Sequence, residues 1–362
     1  MEVPASLPAD LDTPYAAVDL DVLDRNLRNM AEGAAARGLA LRPHAKTHKC
    51  LQIARRQIDH GAVGLTVATV SEAEVFAKAG FTDLFIAYPV WASPARAPRL
   101  RALAEQVSLR VGVDSTDGVQ ALADAVRGTG VDVLVEIDSG HHRSGVQPRL
   151  AGEVAAAAAR AGLPVRGVFT FPGHGYQPGH RGEAAADEAD ALDHAAAALR
   201  AAGIDAAVRS GGSTPTASLV DAGSLTEMRP GVYVFGDAQQ VELGSCDWPE
   251  VAFTIAATVV SRTASRIIIL DAGSKALGAD QPVWATGAGR LPDHPDARIT
   301  ALSEHHATAV FPEDAAVPRH GDIVRVAPNH VCAAVNLADE LVVLSAGREV
   351  DRWAIAARGA NT

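Results

Sequence analysis

Leu41-Arg42-Pro43-His44-Ala45-Lys46-Thr47-His48-Lys49-Cys50 sets a lysine between two kinds of local structure. The apolar run Leu39-Ala40-Leu41 leads into it as a strand would, and Leu51-Gln52-Ile53-Ala54 leaves it with helical character. Lys46 therefore stands where a strand ends and its loop begins, with His44 and His48 within two residues of it. An ammonium group among cationic or apolar neighbours is disfavoured relative to the neutral amine, and the amine is then a nucleophile at neutral pH.

Outward from this stretch the chain alternates. Short apolar runs recur at 39–44, 63–67, 84–88, 107–113, 131–137, 165–171, 206–209 and 226–235. Ala-rich amphipathic segments separate most of them: Ala92–Gln106, Thr116–Arg127, Arg149–Ala161 and Glu183–Ala202. Strands alternating with helices mean βαβ units and a parallel sheet, and eight strand candidates point to a closed (β/α)8 TIM-type barrel, an α/β fold. Near Val241–Pro249 the texture changes to short strands separated by Gly, Pro and Asp: Phe253–Val260, Arg266–Leu270, Arg298–Leu302, Ile323–Val326, Glu340–Leu344 and Arg348–Ala354. The expected organisation is an N-terminal tail and strand over 1–20 that joins the β domain, a barrel over 21–240, and an all-β domain over 241–362.

Composition narrows the function. Of 362 residues, 48% are hydrophobic, enough for a large core, and the formal net charge of −11 with no long basic run argues against nucleic acid or an anionic membrane as partner. No apolar stretch approaches the roughly 20 residues of a membrane-spanning helix. Three dispersed cysteines, Cys50, Cys246 and Cys332, are no disulfide framework and suit a reducing cytoplasm, and the start Met1-Glu2-Val3-Pro4 lacks the pattern of a secretory signal.

In a (β/α)8 barrel the working groups lie at the C-terminal ends of the strands. Lys46 follows the first barrel strand, His141, His142 and Arg143 the fifth, His174 and Tyr176 the sixth, and Gly211, Gly212, Ser213 and Thr214 the seventh. Ser210-Gly211-Gly212-Ser213-Thr214-Pro215-Thr216 reads as a small-residue turn leading into a short helix, where backbone N–H groups, hydroxyls and the helix N-terminus suit a phosphate. Farther on, His330-Val331-Cys332 reads as part of an extended segment, Ala327–Asn336, that puts an imidazole and a thiol on one face. Such a pair holds one Zn2+ and leaves positions open, as a catalytic ion requires.

Arg42–Cys50 resembles the cofactor-lysine segment of the D-serine dehydratase and D-threonine aldolase family, pyridoxal-phosphate (PLP) enzymes related in fold to alanine racemase. The resemblance recurs at Thr13–Asp21, Gly64–Glu74, Glu136–Val146, Gly167–Tyr176, Arg229–Asp237, Asp271–Leu277, Ser303–His306 and Ala327–Asn336, in order along the chain. It implies that Lys46 carries PLP, that Arg143 and Tyr176 face the cofactor, that Gly212, Ser213 and Thr214 grip its phosphate with Tyr233 at the border, and that His330 and Cys332 bind the metal. Many relatives have histidine where this chain has Phe171, and Pro172 is also unusual; both departures bear on the substrate pocket more than on the cofactor.

The activity so implied is elimination of water from a D-β-hydroxy amino acid, D-serine foremost, to give pyruvate and ammonia. The aldolase branch carries aspartate as its second metal ligand, so Cys332 favours the dehydratase, and its soft thiolate favours zinc over Mn2+ or Mg2+. The alternatives are a D-threonine aldolase, a D-3-hydroxyaspartate aldolase or dehydratase, and a non-catalytic PLP-binding protein. The strand-rich domain after residue 240 counts against the last. A racemase would need a proton donor on each face of its substrate, and no second donor stands out. By analogy with relatives, a cytoplasmic homodimer is expected.

Overall fold

The computed structural model describes residues 7, 8 and 10–362. The chain forms two compact units. One comprises the residues through Arg28 with Thr47–Gln52 and Val232–Arg358; the other comprises Asn29–Lys46, Ile53–Gly231 and Gly359–Thr362.

The second unit is the barrel. Its eight strands are Ala40–Leu41, Leu65–Val67, Asp83–Pro89, Ser108–Val113, Asp132–Glu136, Val165–Phe169, Val208–Gly211 and Glu227–Met228, every neighbouring pair parallel. The ring closes between the first two through a parallel His44–Thr66 bridge, with the amides of Val63 and Thr66 donating to the carbonyls of Leu41 and Pro43. Each expected strand is present; most are shorter than the apolar run that marked them, while Asp83–Pro89 is longer than the expected 84–88 and Val208–Gly211 is shifted from the expected 206–209.

Parallel strands covered on both faces read as unbroken apolar runs, as in Val133-Leu134-Val135, each at most 1% exposed. Phe85, Leu134 and Phe169 fill the barrel interior, the two rings edge to face at 5.0 Å. The longest outer helix, Arg181–Ala201, buries Ala184, Glu188, Ala191, Ala195 and Leu199, a stripe of three- and four-residue spacing that seats it on the strands. Small side chains let its backbone come close: a β-carbon on Gly152 would strike the carbonyl of Ala198.

The other unit is mostly sheet. Its order is Arg298–Leu302, Ala307–Val310, Ile267–Leu270, Phe253–Ala264, Tyr15–Asp19, Glu340–Ser345, Arg348–Ala354, with Ile323–Val326 also on Phe253–Ala264. Only Tyr15–Asp19 with Glu340–Ser345 is parallel; the other pairs are antiparallel. Ala307–Val310 was not anticipated from the sequence. It alternates buried Ala307 and Ala309 with half-buried Thr308 and Val310, and alanine is a weak strand former.

Two local expectations are corrected. The residues after Gly212-Ser213 form consecutive turns over 214–219, not a helix. His330-Val331-Cys332 is not an extended run either: His330 caps the short helix Val331–Val335, and Cys332 lies in its first turn. Among the described residues no helix is long and apolar enough to cross a membrane.

Candidate active site

On the barrel unit, the candidate residues lie on loops that follow strand C-termini. Lys46 sits in a one-turn 3-10 segment, Ala45–Thr47, just past the first strand. Its Nζ lies 6.0 Å from the centroid of the Phe171 ring, and the Arg143 guanidinium lies 5.2 Å from the same centroid. Tyr176 lies tilted against that ring at 6.0 Å between centroids, and His141 meets it edge-on at 5.5 Å. Phe171 thus gathers Lys46, Arg143, Tyr176 and His141 around one aromatic ring. Burial, then Arg143 and His174, push the His141 imidazole below its usual value, so it stays neutral at neutral pH. His174 Nε2 donates to Asp187 at 3.1 Å, and exposed His142 pairs with Asp138 at 2.6 Å.

A small cleft opens beside these groups, lined by Glu136, Ser139, His141, Arg143, Thr170 and Phe171 among others. The Ser144 hydroxyl donates to Glu136 at 2.9 Å, and Arg143 is 3.9 Å from it. Burial outweighs both and raises the Glu136 carboxyl above its ordinary value.

The turn past the seventh strand is held from beneath. Gly212 adopts φ +78, a left-handed conformation that glycine takes without strain. Its N–H donates to Glu188 Oε1 at 2.7 Å, and a β-carbon on Gly211 would collide with that carboxylate. The Ser213 N–H donates to the Thr216 hydroxyl at 3.0 Å. Two amides of the turn are therefore committed to its own architecture, and without a helix behind it the turn lacks the dipole expected from the sequence. Glu188 is completely buried, and burial pushes its carboxyl up to about 7 against the opposing pull of the Gly212 amide and Arg229.

Arg229 was not singled out by the sequence. It is 6% exposed, donates through Nε to Ser210 Oγ at 2.9 Å and through Nη2 to the Thr170 carbonyl, and lies over Phe169 at 5.3 Å. Ser210 in turn donates to Glu227, which also takes Arg42 at 2.7 Å. This chain of ions stiffens the floor below the rim loops. A lone Arg-Pro-Gly in sequence signals only a turn, so nothing local marks it.

In the strand-rich unit, His330 and Cys332 are direct neighbours. Burial alone would push the imidazole down; the Cys332 sulfur and Asp237 outweigh it and hold His330 well above its usual value. The Cys332 thiol donates to the Thr47 hydroxyl at 3.3 Å, and Thr47 is the residue after Lys46 in the chain. The same short segment is fixed by Lys49 Nζ donating to Asn336 Oδ1 at 2.7 Å and by the Ala357 N–H donating to the Lys49 carbonyl. His48 is committed locally, its Nδ1 accepting the Cys50 amide at 3.1 Å. Tyr233 lies buried on the 3-10 turn Val232–Val234. His305 and His306 are exposed in the loop before Ala307–Val310.

The donor chemistry fits an ion of the zinc type: one imidazole, one thiol and a buried carboxylate behind the imidazole. No group of three or more ligating side chains able to hold a metal is present among the described residues. Cys246 is no third thiolate. Burial, then Asp237 and Glu250, push its thiol up to about 12. On the barrel, an amine beside an aromatic ring and a glycine turn followed by the hydroxyl side chains Ser213 and Thr214 suit a flat phosphorylated aldehyde.

A barrel with a lysine at its mouth, followed by a strand-rich unit, defines the alanine-racemase class of architecture. The family model for the alanine racemase N-terminal domain matches residues 18–239, and the model for a serine dehydratase domain matches 252–344. D-threo-3-hydroxyaspartate dehydratase of Delftia sp. is 35% identical over 95% of this chain and 97% of its own. The solved D-threonine aldolase of Filomicrobium marinum superposes with a TM-score of 0.89 at 33% identity, covering 99% of both chains. A cysteine-to-alanine mutant of a D-threo-3-hydroxyaspartate dehydratase, solved in its metal-free form, gives 0.88 at 34% identity over 96% of this chain and 98% of that one. The chain belongs to the D-serine dehydratase/D-threonine aldolase family of alanine-racemase-like, fold-type III PLP enzymes.

Proposed function

We propose that the protein is a PLP- and zinc-dependent lyase of D-β-hydroxy amino acids and that its substrate is D-serine, which it converts to pyruvate and ammonia. The observation that carries this reading is the His330–Cys332 pair. A thiolate beside an imidazole at the start of one short helix suits zinc, and an ion with open positions suits catalysis.

When bound, PLP supplies a sink for the electron pair left at the substrate Cα, and zinc supplies a Lewis acid for the departing β-oxygen. The residues do the rest. Lys46 would hold the cofactor through its amine, and its Nζ is the base placed to take the substrate's α-proton. Phe171 supports the flat group, with Arg143 and Tyr176 beside it. Gly212, Ser213 and Thr214 receive the phosphate in a turn whose shape Glu188 fixes, and Tyr233 borders it. His330 and Cys332 would hold the ion. The protein works as a homodimer in the cytoplasm.

The relatives named for 3-hydroxyaspartate and D-threonine support a second reading, retro-aldol cleavage to glycine and an aldehyde with the same residues. Incubation with D-serine separates the two: ammonia and pyruvate are expected, restored by Zn2+ after chelation, whereas glycine from D-threonine with no ammonia from D-serine would establish the aldolase.

A further inference from the structure

Asp237 is an acid with no exposed surface, placed among three donors. Its Oδ1 accepts the Gln240 N–H at 2.9 Å and so caps the short helix Ala238–Glu242. Its Oδ2 accepts the Val331 N–H at 3.1 Å, the first amide of the helix that carries Cys332. The same oxygen lies 3.6 Å from His330 Nδ1, which has no nearer hydrogen-bond partner among the described residues. Two backbone bonds hold this geometry from either side: Ala238 N–H donates to the Pro328 carbonyl and Gln239 N–H to the Asn329 carbonyl. A carboxylate this deep is costly unless its lone pairs are filled, and two amides satisfy only part of it. The remaining direction points at an imidazole.

We infer that Asp237 is the positioning residue of the metal centre: it accepts from the N–H at His330 Nδ1, fixing the ring so that Nε2 is the nitrogen offered to the ion. The inference rests on the reading of His330 and Cys332 as metal ligands. A ligand histidine whose other nitrogen donates to a carboxylate is held in one tautomer and one orientation, and its partner is worth about ten- to a hundredfold in metal affinity. With His330 and Cys332 as the ligands, free rotation of one ring would forfeit half of the set. Asp237 also ties that ring to the backbone of the Cys332 helix, so one carboxylate sets the spacing of both ligands.

Two measurements on the full-length PLP-loaded enzyme test this. The first is the 15N spectrum of histidine-labelled wild type with Zn2+ bound, His330 being assigned against His330→Gln. The expected result is a proton on Nδ1 with Nε2 shifted by the metal; a proton on Nε2 overturns the inference without any substitution at Asp237. The second is competition for Zn2+ with a chromophoric chelator. Asp237→Asn is expected to weaken binding about ten- to a hundredfold, with circular dichroism and the visible absorbance of the bound cofactor unchanged. Wild-type affinity in that variant overturns the inference and leaves the metal pair standing. Should the variant unfold, the tautomer measurement decides alone. A wild type that takes no Zn2+, or takes it equally well after Cys332→Ala, overturns the metal reading itself and this inference with it.

Discussion

Lys46, Arg143, Tyr176 and Ser213 leave the ends of four different barrel strands, whereas His330 and Cys332 leave a single turn of chain. The first set is located by a closed parallel sheet whose floor is braced by Arg42, Glu227, Ser210 and Arg229. The second is located by one capped helix of five residues and one buried carboxylate. A cofactor that meets many loops survives the loss of any one contact. An ion held by two side chains survives the loss of neither. The barrel side should therefore fail by degrees except at the covalent lysine, and the metal side should fail outright.

The largest effect falls on that lysine. Lys46→Ala removes both the covalent anchor and the base, and lyase turnover should drop on the order of 10^4-fold; the visible absorbance of the lysine-bound cofactor should vanish with it. Retained absorbance would place the anchor elsewhere. Next is the metal side. Cys332→Ala or chelation should cost roughly 10^3-fold in turnover, several kcal/mol of barrier, while the cofactor's absorbance persists. Parallel loss of cofactor and activity would erase the contrast between the two sets.

A smaller effect, on stability, concerns the barrel alone. The Glu188 carboxyl sits at about 7 when folded against an ordinary 4.5, because burial disfavours its charge. A raised value means that the group's contribution is fully present below pH about 4.5 and is lost as pH rises toward 7. Glu188→Gln keeps an acceptor for the Gly212 amide and removes the buried charge. Relative to wild type it should gain on the order of 2–3 kcal/mol between pH 5 and pH 8, read from denaturant midpoints; a pH-independent difference would show that the carboxyl is solvated. The smallest effect is Thr47→Val, which deletes the hydroxyl that accepts from Cys332. Zinc binding takes the thiol's proton, after which the Thr47 hydroxyl donates to the thiolate, and one such bond is worth about 1 kcal/mol; Zn2+ affinity should fall a few-fold with the cofactor spectrum unmoved.

What could be read from the sequence follows the range of the interactions. The eight barrel strands were readable because each is a local apolar run, and Lys46 because it follows the first. That His330 and Cys332 lie side by side was readable from spacing, although their conformation was not: Asp237 caps a helix there from 94 residues away. Glu188 lies 24 residues before the amide it holds, inside an Ala-rich helix where a buried acid looks like one more surface charge. The turn at 212–214 looked like a helix start because small residues favour both, and only the Glu188 contact distinguishes them. Partners brought together by closing the barrel leave no period in the text.

The most direct test is product analysis with purified enzyme, PLP and D-serine, with and without Zn2+ after chelation. Equal amounts of pyruvate and ammonia, lost on chelation and recovered with zinc, are the predicted result. No keto acid or ammonia from D-serine, or full yield in the chelated enzyme, would contradict it.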